Sequence, residues 1–187
     1  VIYMMPNKSS SILFLNPVTH TGEPVLRVER CQQKVRFSVG VWPPITLLES
    51  ATALKVRGFT DVSVYDAEAE RSPFADMIKR IAGFSPAVVI VAVSSPTVDS
   101  DLLCARRIRN FLSSCILIAV GVAAVTRPED FIVSGGFDYC VRGEPKTSIA
   151  DLLESLCSSQ TALCSVPNIA FKDKKGVYAA SRRIESD

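Results

Sequence analysis

The feature that most constrains the fold is the run Pro86-Ala87-Val88-Val89-Ile90-Val91-Ala92-Val93-Ser94-Ser95. It is apolar without interruption, rich in β-branched residues, and closed by small hydroxyls. A strand with one wet face alternates polar and apolar residues, and this one does not. A run apolar on both faces suits the centre of a parallel sheet covered by helices above and below. In such sheets ligands bind beyond the carboxyl ends of the strands, where the strand order reverses. Ser94 and Ser95 therefore mark the place where a site is expected.

The rest of the chain supplies partners for that strand. Residues before Ser9 read as a lead-in, and residues 11–16 form a first strand ended by Pro17. A long polar segment, residues 17–44, carries Arg27, Arg30, Lys34 and Arg36 without clear periodicity. A loop of that length inside a domain is functional or disordered. Pro44 then introduces a helix with Leu47, Ala51 and Leu54 on one face and Gly58 as its stop. A second strand over residues 61–66 ends in Asp66, and Ser72 with Pro73 reads as the cap and first position of a second helix. After the central strand come a helix over residues 98–112, a strand over 115–120 broken by Gly121, and a short helix from Arg127 to Gly135-Gly136. A strand over 138–142 and a helix over 146–157 follow. Arg106, Arg107 and Arg109 read as the solvated face of the third helix. Strand-then-helix units at near-regular spacing specify an α/β fold, a doubly wound five-stranded parallel sheet with right-handed crossovers. The tail differs: residues 168–171, a turn over 173–176 and residues 177–180 read as a β-hairpin. Residues 1–160 are thus expected to form the sheet domain, and residues 161–187 the hairpin and the start of a linker.

Bulk properties narrow the function. Hydrophobic residues make up 48% of the 187 residues, enough for a substantial core, and the net charge is +2 with acids and bases interleaved. That balance gives no case for a nucleic-acid groove or an anionic membrane surface. The apolar runs fall short of the roughly 20 residues a membrane span needs, and no cationic-then-apolar leader opens the chain. A cytoplasmic location is expected. The six cysteines (Cys31, Cys104, Cys115, Cys140, Cys157, Cys164) contain no C-x-x-C pair, so they read as small hydrophobes and no metal site is expected. The start at Val1 and the charged end at Asp187 lead us to expect a piece of a longer protein.

Candidate chemistry lies just past the strand ends. Gly121 and Gly143 would let a ligand approach the backbone, while Ser94, Ser95, Thr97 and Thr126 offer neutral hydrogen bonds. No G-x-G-x-x-G follows the first strand and no G-x-x-x-x-G-K-[ST] occurs, which argues against dinucleotide and P-loop nucleotide binding. His20 is the sole histidine, so a histidine-based triad or metal cluster is not expected. Asp66 invites comparison with a phosphoacceptor aspartate, but the first strand lacks the acidic pair that would hold magnesium.

Taken in order, Asn16-Pro17, Arg30-Cys31, Trp42-Pro43-Pro44, Asp66, Ser94-Ser95-Pro96-Thr97, Gly121 with Arg127-Pro128-Glu129, and Val141-Arg142-Gly143-Glu144-Pro145-Lys146-Thr147 form one series. It resembles the N-terminal cobalamin-binding domain of cobalamin-dependent radical SAM proteins, a group that includes anaerobic magnesium-protoporphyrin monomethyl ester cyclases and various methyltransferases. The resemblance implies a Rossmann-like, flavodoxin-like fold with the corrin across the carboxyl edge of the sheet. The nucleotide tail of the cofactor would slide between sheet and helices. It assigns cofactor contacts to Asn16, Pro17, Asp66, Glu68, Ser94, Ser95, Thr97, Gly121, Val122, Arg142, Gly143 and Glu144. Two departures stand out. Asp66-Ala67-Glu68 has no histidine where other cobalamin proteins carry D-x-H-x-x-G, and Val122-Ala123 replace a second glycine and a histidine after Gly121.

The resemblance further implies a covalently linked radical SAM domain holding S-adenosylmethionine at a 4Fe-4S cluster. That cluster needs C-x-x-x-C-x-x-C, which these residues lack, so this chain alone is not expected to be catalytic. Two other functions compete with a cobalamin-binding module. One is a cofactor-free, receiver-like or scaffold domain for protein–protein contacts. The other is a small hydrolase or transferase using Asp66 or Glu144 as a base.

Overall fold

The computed structural model describes residues 6–28, 31–33, 42–133, 136–158, 163–173 and 178–181. Its main sheet has seven strands, β1 (Ile12–Asn16), β4 (Val62–Asp66), β5 (Val88–Ala92), β6 (Ile116–Val120), β7 (Tyr139–Val141), β8 (Ile169–Lys172) and β9 (Tyr178–Ala180), in the order β4-β1-β5-β6-β7-β8-β9. The first five are parallel, as the α/β reading requires, with Ile12 opposite both Val62 and Val88. The hairpin β8–β9 adds antiparallel to β7, so the tail continues the sheet. The helices are α1 (Ile45–Val56), α2 (Phe74–Phe84), α3 (Val98–Phe111), α4 (Val122–Thr126), α5 (Pro128–Val133) and α6 (Pro145–Cys157).

The unbroken apolar strands are explained by two cores. Leu13, Leu15, Val89, Val91, Leu117 and Ala119 face one way, against Met77 and Ile81 of α2, Ala105 and Ile108 of α3, and Phe131 of α5. Ile12, Phe14, Val88, Ile90, Ile116 and Ile118 face the other, against Leu47, Ala51 and Leu54 of α1 and Ile149, Ala150 and Leu153 of α6. With each large aliphatic side chain contributing roughly 1.5–3 kcal/mol on burial, both layers hold the central strands and none can be wetted cheaply. The strand order reverses at β1, which has β4 on one side and β5 on the other. That is the switch point at which α/β sheets open a crevice.

Four details differ from the sequence reading. The segment between β1 and α1 contains a two-stranded antiparallel ladder, β2 (Leu26–Val28) with β3 (Cys31–Gln33), each strand too short to show periodicity. The apolar stretch after Gly121 coils into α4, which was not foreseen. Ser72 does not cap α2: the Pro73 carbonyl accepts the first helical N–H groups, from Asp76 and Met77, and the Ser72 hydroxyl pairs with that of Tyr65 at 3.0 Å. Arg109 leaves the solvated face to pair with Asp138 at 2.7 Å, tying α3 to the loop before β7, while Arg106 and Arg107 are exposed as expected. The stop at Gly135, the turn residues after Asp173, and Arg30, Lys34 and Arg36 lie outside the described residues. Among the described residues, no helix is long and apolar enough to cross a membrane.

Candidate functional site

At the carboxyl rim of the sheet lies a cleft of about 550 Å³. Its floor is Asn16 at the end of β1, Ala92 and Val93 at the end of β5, Val120 and Gly121 at the end of β6, and Gly143 and Glu144 after β7. Its walls are the start of α1 (Pro44 to Leu47), the apolar side of α4 (Val122, Val125) and Pro145, which opens α6. Three helices thus present their amino ends to one opening, and neither α1 nor α6 has an acidic residue in its first turn. Glu144, immediately before α6, and Glu49 of α1 also line the cleft and set negative charge against the partial positive charge of those ends.

Gly121 is required by geometry. It sits at φ 126°, ψ 177°, and a Cβ there would lie 2.4 Å from the Val93 carbonyl oxygen. The chain can leave β6 and turn at once into α4 beside the end of β5 only because this residue has no side chain. Gly143 is equally confined, since a Cβ would come within 2.5 Å of Asn168 Cγ.

Beneath the floor is an ion pair absent from the sequence expectations. Arg27 reaches from β2 to Asp101 of α3 at 3.0 Å, with side chains 2% and 1% exposed. Asp101 also accepts the Ser94 N–H at 3.0 Å and the Thr97 hydroxyl at 2.7 Å. Arg27 donates further to the Pro17 carbonyl and to Thr97 Oγ1. Burial pushes the Asp101 carboxyl up, while the Arg27 guanidinium and the two donors pull the other way. A buried pair of this kind is costly to break, because removing either partner strands the other charge. The segment after β1 is therefore pinned to the end of β5, across the switch point.

The expected contact residues separate into groups. Asn16, Gly121, Val122, Gly143 and Glu144 meet at the cleft. Asp66 stands behind Asn16, taking its Nδ2–H at 2.8 Å and the Ala69 N–H at 2.9 Å on the same oxygen. Ser94 and Thr97 are buried and engaged by Asp101 and each other, and Pro17 contributes its carbonyl to Arg27. Ser95 is exposed in the 3-10 turn Ser95–Thr97 and does not line the cleft. Arg142 turns toward the hairpin, donating to the Ser181 carbonyl at 3.4 Å. Glu68 lies in a separate hollow of about 610 Å³ with His20, Arg71 and Phe74, where it accepts the Val25 N–H. His20 is a loop residue whose Nδ1 is 3.0 Å from Ser100 Oγ and whose ring meets Phe74 edge-on. The space below Leu47, between α1, α6 and the sheet, is filled by Phe14, Ile90, Leu54 and Leu153, all fully buried. The open volume described here lies at the rim, above this packed layer.

Cys104, Cys115 and Cys140 are buried, and desolvation pushes each thiol up, that of Cys115 to about 12. No cluster of three or more potential metal ligands occurs among the described residues.

No family model matches the sequence, and no curated protein does. Solved structures match the fold. The radical S-adenosylmethionine methyltransferase TsrM from Kitasatospora setae, with tryptophan substrate and a SAM analog bound, superposes with a TM-score of 0.70 at 19% identity over 93% of this chain and 30% of its own. The same enzyme with cobalamin and a 4Fe-4S cluster bound gives 0.69 at 20% identity, over 94% of this chain and 29% of its own. The cobalamin-dependent radical enzyme OxsB, with aqua-cobalamin and S-adenosylmethionine bound, gives 0.68 at 16% identity, over 94% of this chain and 22% of its own. The chain thus spans less than a third of the proteins it matches, and its structural neighbours are cobalamin-dependent radical SAM enzymes. At these identities the likeness establishes the fold.

Proposed function

We propose that this chain is the cobalamin-binding module of a larger radical SAM enzyme. The corrin would rest on the carboxyl rim, over Asn16, Gly121, Val122, Gly143 and Glu144. The observation that carries the reading is the open cleft over Gly121, at the switch point of a fold that cobalamin-dependent enzymes share across nearly the whole chain. The residues present fit such a group. The floor is largely backbone where a flat ring must approach closely, Ile45, Leu47, Val122 and Val125 give the walls apolar surface, and polar side chains enter from Asn16, Arg27, Thr46, Glu49 and Glu144. Bound there, the cofactor contributes a cobalt centre able to exchange a methyl group or an electron with a partner domain.

The chain's own residues bind and orient. Asp66 holds Asn16, and the Arg27–Asp101 pair, with Ser94, Thr97 and the Pro17 carbonyl, fixes the wall beside it. Ser95, Arg142 and Glu68 stand outside the cleft. His20, the sole histidine of the sequence, lies in the separate hollow with Glu68 and not at the cleft. The reaction, methyl transfer or oxidative cyclisation, belongs to a covalently linked cytoplasmic domain carrying the cluster and S-adenosylmethionine. Titration of the purified chain with hydroxocobalamin, followed by absorbance, tests the reading. A saturable spectral change at micromolar concentrations supports it, and an unperturbed spectrum up to about 100 μM removes it, since binding weaker than roughly 5–6 kcal/mol would not retain a cofactor.

One observation favours a second reading, a cofactor-free scaffold domain: the layer between α1, α6 and the sheet is closely packed with large apolar side chains beneath the cleft. The same titration separates the two.

A further inference from the structure

Two buried polar atoms beside the cleft have no hydrogen-bond partner, Asn16 Oδ1 and Arg27 Nε. Both side chains line the cleft, and both are nine-tenths buried or more: Asn16 is 6% exposed and the Arg27 side chain 2%. They are neighbours, because Arg27 donates to the carbonyl of Pro17, the residue after Asn16. The chemistry of each orphan is fixed by what its other atoms do. Asn16 Nδ2 donates to the Asp66 carboxylate, which can only accept, so the amide cannot flip and Oδ1 is an acceptor. The terminal nitrogens of Arg27 are engaged by Pro17, Thr97 and Asp101, whereas Nε–H, a donor, has no acceptor.

Leaving one buried polar group unpaired costs about 1–3 kcal/mol, and two such groups at one wall call for a common partner. A carboxylate would satisfy Arg27 Nε and be repelled by Asn16 Oδ1, with Asp66 behind it. An ammonium would satisfy Asn16 and be repelled by the guanidinium. A primary carboxamide matches both, its oxygen accepting from Arg27 Nε–H and its nitrogen donating to Asn16 Oδ1.

We propose that Asn16 and Arg27 together bind a primary carboxamide of the ligand. This rests on the cobalamin reading, and within it the group is one of the corrin's propionamide arms, the longest amides the ring carries and so those able to reach the wall from a ring seated on the rim.

The test uses hydroxocobalamin and its three monocarboxylic acids, in each of which one propionamide is replaced by a carboxylate of nearly the same shape. Dissociation constants are measured by absorbance on the wild-type chain and on Asn16→Leu, with thermal melts to establish that the variant is folded. In the wild type, one of the three acids should bind at least ten-fold more weakly than hydroxocobalamin, and in Asn16→Leu that ratio should fall below about three. The wild-type series stands alone should the variant fail to fold. If hydroxocobalamin binds and all three acids bind equally well, or if Asn16→Leu keeps the full discrimination, the carboxamide assignment is wrong and the cofactor reading survives. If hydroxocobalamin does not bind, both fall.

Discussion

Substituting Gly121 by alanine puts two separable loads on the end of β6. The first is backbone strain. At φ 126°, ψ 177° the residue occupies a region that is essentially glycine-only, which costs an L-residue about 1–3 kcal/mol. The second is collision: the new Cβ would start 2.4 Å from the Val93 carbonyl oxygen. That oxygen cannot yield freely, because Val93 is held by its own N–H bond to the Val120 carbonyl at 2.8 Å. Forcing a methyl into a packed site costs about 1–3 kcal/mol, so the sum is about 2–6 kcal/mol. For a domain of this size each kcal/mol moves Tm by roughly 2–4 °C, which puts the drop at about 4 °C at the least. Gly58→Ala is the internal control: φ is +87° there, but nothing lies within 4 Å of the added Cβ, so strain acts alone. Urea unfolding followed by circular dichroism should show both midpoints lowered with unchanged slopes, Gly121→Ala by at least about 1 kcal/mol more. Equal midpoints for the two variants would refute the collision argument, and a wild-type midpoint for Gly121→Ala would refute the strain argument as well.

Two further outcomes follow from the same structure. Arg27→Met strands the Asp101 carboxylate in the interior and should lower stability by about 3–5 kcal/mol. Adding Asp101→Asn, which keeps an acceptor for the Ser94 N–H, should restore at least about 2 kcal/mol of it by urea unfolding; a double variant as unstable as the sum of the singles would show that the ion pair is not coupled. Labelling with iodoacetamide at pH 8, read by peptide mass, should modify the exposed Cys164 and spare Cys104, Cys115 and Cys140. With its thiol pushed to about 12 by burial, Cys115 is thiolate in only about one molecule in ten thousand at that pH, and its labelling should rise steadily as pH approaches 12. Fast modification of Cys115 at pH 8 would place it outside the core.

The fold was legible because its signals are redundant. Strands β1, β5 and β6 are apolar on both faces and can be stable only between two helix layers, and Gly58 stops α1 where a left-handed residue is needed. Short elements were not legible: β2 and β3 have three residues each, and α4 is four apolar residues and a threonine that read equally well as strand. At the candidate site, position past a strand end placed Asn16, Gly121, Gly143 and Glu144 correctly at the rim, because the parallel topology brings every such end to one edge. The same rule could not separate rim from interior. Ser94 and Thr97 look like ligand hydroxyls in the sequence, but in the structure the Thr97 hydroxyl is spent on Asp101 and that of Ser94 on Thr97. The i, i+4 spacing of Thr97 and Asp101 hinted at that contact; nothing local identified Arg27, whose partner is 74 residues away.

The clamp formed by Arg27 and Asp101 bears on how uptake would proceed. It ties Arg27, in the segment after β1, to the corner after β5, so this side of the cleft is already held before anything arrives. An incoming molecule would find its contacts in place and spend little of its attraction on ordering them. Association should then follow one bimolecular phase with no slow closing step, the behaviour of a fixed cradle.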